Sequence, residues 1–443
     1  MRKTIIGLLL VSLGSLPAVH AGKPPKSGGG DTGTSGVVAQ NLGVLPGDKY
    51  SDAWDVNTRG HAVGRSYNSG NRTTPQLTKA FYWNGTMQQL LPATQAPAGE
   101  GPWESEAWAI GDASPTAVGL EHRTVCKPDP DDPTSKICDY DQYPIIWQDA
   151  GATPAAVRLG TGPGRAFGIN DSATAAVGVS GGGVGAIWWA PAWGAAATNI
   201  FVPPEVNAAD AYVQFPDGHT QASGNLRYEG TAFDVNDSGI VVGTLTTIDK
   251  IAEAKCLATE ARPCVPDVSF SRSYVYLSGP GIFKVLPTPT GSRETSAYAV
   301  SNITDTGKVY VAGWTGWRTS DRSTEINKGM RWTVDAATGN SDVEEVLTEQ
   351  AWAEGVTQDG FVAGTHNSSP SRRGNIVQTA TLWNPAVGYI LLKPPGGSDS
   401  ASRAMAGRCL GTAIGPIYVV GVANVSGAWT AARWEIQCST ASP

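Results

Sequence analysis

Residues 232–243 read AFDVNDSGIVVG, and the phrase recurs along the whole chain. Close copies are AWDVNTRGHAVG at 53–64 and AFGINDSATAAVG at 166–178. Anchored on the opening alanine, seven copies begin at Ala53, Ala107, Ala166, Ala232, Ala297, Ala351 and Ala404, 53 to 66 residues apart. Self-similarity of this kind dictates the fold before any local motif does. The uneven spacing excludes a solenoid of rigid register and suits a constant core with variable loops.

Each copy carries the same further parts. An aromatic-centred run follows the phrase: KAFYWNG, PIIWQ, GAIWW, SYVYLSG, GMRWTV, TATLWNP and AARWEI. A short run ending near leucine comes next, as in MQQLLP or FKVLP. One repeat therefore predicts four short strands, A to D, with Asn, Asp and Gly making the tight A–B turn. Composition agrees. Charged residues are 16% of the chain, while 54 Gly and 30 Pro punctuate it, which favours an all-β protein over a helical one.

Seven four-stranded units predict a seven-bladed β-propeller spanning residues 37–438. The ends fit this. VVAQNLGVLPG at 37–47 reads as a D strand without its own A, B and C, and the last repeat stops after its C strand. The N-terminal strand is expected to complete the last blade, which removes the open edge. A tandem of β-sandwiches would leave that strand unexplained.

The phrase A-[FWY]-x-[IV]-N-x-x-G-x-V-V-G followed by an [AI]-x-x-W strand resembles the HAF-type repeats of exported bacterial proteins. The resemblance covers residues 37–438. It implies the propeller and an exported protein, and it brings no catalytic residues. Glu354 and Gly407 stand where Val or Ile is expected in the sixth and seventh copies, so those blades should be the least regular.

Residues 1–21 read as a secretory signal peptide: Arg2 and Lys3, an apolar run to about Leu16, then Val19-His20-Ala21 as a cleavage site. The run is too short for a membrane anchor. Residues 22–36 read as a flexible leader and 439–443 as a short tail. The expected location is periplasmic or extracellular. Six cysteines in an exported chain suggest disulfides, naturally Cys126–Cys138, Cys256–Cys264 and Cys409–Cys438. No CxxC or Cys/His spacing supports a metal site. The acidic loop at 128–141 lacks the pattern of a calcium loop, so no cofactor is expected, with calcium at that loop left as an unsupported alternative. A net charge of −7 argues against nucleic acid as partner.

Long insertions fall between B and C strands (65–78, 120–143, 244–272) and between D and A strands (92–106, 203–230). Both sets lie on one face of a propeller, so that face is expected to carry function. Trp103, Trp314 and Trp317 on it are candidates for stacking on a sugar or anchoring a partner. Glu104, Glu229 and Glu294 precede A strands and should rim the channel there. His122 and His366 follow B strands on the same face and suit acid/base chemistry, although no nucleophile pairs with either. Trp54, Trp108 and Trp352 in A strands are expected to be core. The expected role is recognition of a polysaccharide, peptide or surface protein by a monomer. The alternatives are a polysaccharide lyase or glycoside hydrolase at the channel mouth, and a structural component of the cell envelope.

Overall fold

A computed structural model describes residues 37–438 except 69–76, 95–102, 129–135, 153, 182, 201–211, 215–219, 223–224, 259–268, 293, 319–324, 348–349, 369–376, 385–387, 396–398 and 408–414. Seven four-stranded antiparallel sheets, each in the order A-B-C-D, form the fold. The A strands are Tyr50–Val56, Glu104–Ile110, Gly164–Ile169, Leu226–Val235, Glu294–Val300, Ala351–Val356 and Ser400–Ala406. Each packs against the next, and the seventh packs against the first, so the sheets are blades around one axis. The chain is a seven-bladed β-propeller.

Ring closure follows the sequence expectation. Strand Val37–Gly43 pairs with Ala428–Ile436, from Val37 opposite Ile436 to Gly43 opposite Ala431. Leu42 and Leu45 are buried against blade 1. Arg433 locks the seam, donating to Gly60 O at 2.9 Å and Gln40 Oε1 at 3.0 Å.

The phrase now has a physical reading. In every blade the A–B register slips by one residue at the same place: Trp54, Trp108, Phe167, Phe233, Tyr298, Glu354 and Arg403 each bulge out of the ladder. A bulge leaves two residues opposite one and re-aims a side chain. The residue before each bulge is Ala, or Ser402 in blade 7, and all seven are fully buried. Opposite it stands the glycine that closes the phrase. A Cβ on Gly64, Gly119, Gly178 or Gly421 would lie 1.9 Å from an A-strand carbonyl oxygen, and one on Gly243 or Gly313 would lie 2.0 Å away. No side chain fits there, so glycine recurs.

The bulge also corrects the alignment of two copies. Blade 6 aligns from Ala353 rather than Ala351, and blade 7 from Ser402 rather than Ala404. Val356 and Met405 then fill the Val/Ile position, and Glu354 fills the aromatic one.

Asparagine sets the turn. Asn236 Oδ1 accepts the amides of Ser238 and Ile240, both at 3.0 Å, and its Nδ2 donates to Ser301 O of the next blade at 2.9 Å. Asn57 does the same between blades 1 and 2. The turn residue is thus also an inter-blade tie.

C-strand tryptophans form the core between blades, as expected. Trp147, Trp332 and Trp434 are fully buried. Their indole N–H groups donate to Leu91 O, Pro287 O and Lys393 O of the preceding blade, at 2.6, 2.9 and 2.7 Å. In blades 2 and 5 the B and C strands run on beyond the common blade length. Ala117–Pro128 and Lys136–Gln148 form a ribbon on blade 2, and Lys308–Arg318 with Glu325–Asp335 form one on blade 5. In blade 4, Asp249 Oδ1 caps a helix, Lys250–Ala258, by accepting the amides of Ile251 and Ala252.

Candidate functional site

The bulges line the axis. Five of the seven bulge residues are aromatic and touch in sequence. Trp54 to Trp108 is 4.5 Å between ring centroids, Trp108 to Phe167 5.1 Å, Phe167 to Phe233 5.4 Å and Phe233 to Tyr298 5.1 Å. Glu354 and Arg403 complete the belt as an ion pair at 2.9 Å, and the Arg403 guanidinium lies 5.2 Å from the Trp54 ring. Trp54 and Trp108, expected from sequence to be core between blades, line the axis instead. The bulge turns them to the channel.

Above the belt stands an aliphatic ring of Val56, Ile110, Ile169, Val235, Val300, Val356 and Met405. Together they enclose a cavity of about 680 Å³. Its wall continues to Thr58, Asp171, Asn302 and Gln358, so it runs from the belt to the A–B turns. The long-loop side chains proposed from sequence are not among its walls.

The turn tips stitch the mouth together across blades. Thr58 N and Oγ1 donate to the Asp112 carboxylate at 2.8 and 2.6 Å. Asp112 N donates to Asp171 O, Ser172 N to Asp237 Oδ1 at 2.8 Å, and Asp237 N to Asn302 Oδ1 at 3.0 Å. Asn302 Nδ2 returns to Asp171 Oδ2 at 2.8 Å.

Two carboxylates brace the wall. Asp55 accepts the amides of Val56 and of Ile110 in the next blade, both at 2.8 Å. Asp234 accepts those of Val235 and Val300 in the same way. Poor solvation pushes the Asp234 carboxyl up to about 7, against the pull of those amides and with the repulsion of Asp171 added. The Asp55 carboxyl is pushed well above its usual range by burial, with Asp234 and Asp171 adding repulsion. Burial, then Asp112 and Asp237, lift Asp171 to about 6. Burial also raises Glu354, against the pull of Arg403.

The long-loop candidates are only partly gathered. Glu104 and His122 lie directly opposite each other in blade 2. Glu104 Oε2 accepts the Thr78 amide at 2.7 Å. His122 is buried 4.0 Å from Glu106 Oε1, and burial lowers its pKa. Trp103 lies nearby with the guanidinium groups of Arg123 and Arg158 at 4.7 and 5.1 Å from its ring, so it is engaged with its own blade. Trp314 donates to Tyr298 Oη at 2.8 Å, which ties it to the back of the belt. Glu229 pairs with Arg227, Glu294 opens the blade 5 A strand, and His366 sits in blade 6 with its pKa lowered by burial. Trp317 is paired with Ile326 in the ladder, and its side chain lies outside the described residues. So do the side chains of Cys126, Cys138 and Cys256, and the whole of Cys264 and Cys409.

Among the described residues, no group of three His, Cys, Asp or Glu is placed to hold a metal ion, and no helix is long and apolar enough to cross a membrane. No protein-family model and no curated protein matches the sequence. Among solved structures, the chain is similar to a Trypanosoma rangeli sialidase in complex with sialic acid, at 10% identity and a TM-score of 0.39. That match covers 90% of this chain and 59% of the sialidase. It is also similar to the β-propeller domain of the Trilobed protease from Pyrococcus furiosus, at 9% identity and a TM-score of 0.42, covering 89% of this chain and 96% of that one. Neither likeness bears on the site.

Proposed function

We propose that this is an exported binding propeller of the HAF-repeat kind that seats a small ligand in its central cavity, behind the A–B turns. One observation carries the reading. A cavity of about 680 Å³ has rings of Trp108, Phe167, Phe233 and Tyr298 only half buried in its wall. Cavities of several hundred Å³ with an apolar wall and a few polar groups are the usual form of a small-molecule site. The hydrolase alternative has less support, because Asp55 and Asp234 spend their oxygens on backbone amides. Export rests on the leader at residues 1–21. The three disulfides remain part of the proposal, supported at one place by the register that puts Cys126 opposite Cys138.

The test is a thermal-shift screen of neutral saccharides, short peptides and organic cations against the protein and its Phe233→Arg variant, which puts a long charged side chain at a bulge position of the cavity wall, as Arg403 does in blade 7. At least one class should raise the melting temperature of the parent and leave the variant unmoved. A screen that shifts neither protein, or shifts both equally, overturns the cavity as the seat.

A further inference from the structure

The charge of the cavity wall is unbalanced. Its carboxylates are Asp55, Asp171, Asp234 and Glu354, and its one described cation is Arg403. Arg403 is committed to Glu354 at 2.9 Å. Asp55, Asp171 and Asp234 therefore have no counter-charge among the described wall residues. They come from blades 1, 3 and 4 and repel one another across the cavity. Asp112 and Asp237 at the turn tips add to the same field at Asp171.

The wall also says what kind of cation it suits. A bare metal ion needs several oxygens converging on one point. Here two of the three carboxylates are pinned apart, each to its own seam of amides. A strongly hydrated ion would lose its water against Val56, Ile110, Val235 and Val300. An ammonium clothed in alkyl groups has little water to lose, and aromatic faces attract it. The arc from Trp108 to Tyr298 supplies those faces beside the carboxylate field, while the Trp54 ring is already taken by Arg65 and Arg403.

We propose that the central cavity binds an alkylated organic cation, held against the Trp108–Tyr298 arc in the field of Asp55, Asp171 and Asp234. This rests on the cavity being the ligand seat. It carries a consequence for protons. Asp234 and Asp171 are lifted to about 7 and about 6, so near neutral pH they are partly protonated. A bound cation lowers both values again, and binding releases protons.

The test is calorimetric titration of the intact protein with choline and with 3,3-dimethylbutan-1-ol, its uncharged isostere, at pH 6.5 in two buffers of different ionisation heat. Choline should bind at least about tenfold more tightly than the isostere, and the buffer dependence should show proton release. Asp171→Asn, which keeps an acceptor for Asn302, should weaken choline several-fold and reduce the proton release. Asp234→Asn should do the same if it folds. Equal binding of both probes means the cavity reads shape alone and overturns the inference, while the ligand seat survives. No binding of either probe, with a saccharide or peptide still active in the screen, has the same meaning. Choline binding that persists in Phe233→Arg places the cation elsewhere and overturns both.

Discussion

Glu354 and Arg403 form an ion pair, 2.9 Å apart, at the two belt positions where the other five blades place aromatic rings. The pair sits on neighbouring blades at the seam before the closure strand. Each residue neutralises the other in poorly solvated surroundings, so removing one leaves the other exposed to the full cost. Arg403→Ala should lower unfolding free energy by about 2–4 kcal/mol in urea titration. The double variant Glu354→Met, Arg403→Met should recover most of that, since an apolar pair of similar size leaves no orphan charge. Equal losses in the single and double variants would show that the charge pairing is irrelevant.

The closing glycine of the phrase makes a second prediction. Gly243→Ala would drive a Cβ to 2.0 Å from Thr231 O. Backbone cannot yield cheaply in an inner strand, so the cost should be roughly 3 kcal/mol or more. Gly279→Ala, with nothing within 4 Å, is the matched control and should be nearly neutral.

Ring closure is tested by deleting residues 37–45. The deletion removes buried Leu42 and Leu45 and leaves strand Ala428–Ile436 with an open edge. At about 1.5–3 kcal/mol for each buried leucine, the loss is several kcal/mol, with aggregation through the exposed edge. Light scattering and melting curves unchanged from the parent would contradict the closure role.

The pH dependence has a definite sign. Asp171 titrates at about 6 when folded, against 3.8 as its ordinary value. The folded state therefore holds its proton more tightly. The stability this contributes is complete below about pH 4 and is lost as pH rises through about 6. Asp171→Asn should remove that slope and gain about 1–3 kcal/mol at pH 7 relative to the parent. Denaturation at pH 4, 5, 6 and 7 reads it directly, and parallel profiles for the two proteins would contradict it.

The register on the blade 2 ribbon predicts a Cys126–Cys138 bridge, since the two residues face each other directly. Non-reducing peptide mapping of the protein produced in an oxidising compartment should find them in one linked fragment. Cys126→Ser should speed proteolysis within 129–135 and leave the propeller's melting temperature within a few degrees. Separate, alkylatable thiols in that preparation would contradict the bridge.

The repeated phrase by itself determined the blade count, the strand order, the turn asparagine and the closure strand. These depend on alternation and turn chemistry, which are local and written in every copy. It also marked the C-strand tryptophans as core, because burial between blades follows from the period-two pattern. What it left hidden was the direction of the A-strand aromatics. A bulge reverses the facing of one residue, and nothing in a single copy signals it. Counting back from the closing glycines, rather than forward from the alanines, aligns Glu354 with Phe233 and was the available clue. The cavity needed the tertiary structure. Asp55, Asp171 and Asp234 are scattered over three copies of one phrase, and only closing the ring brings their charges into one poorly solvated space.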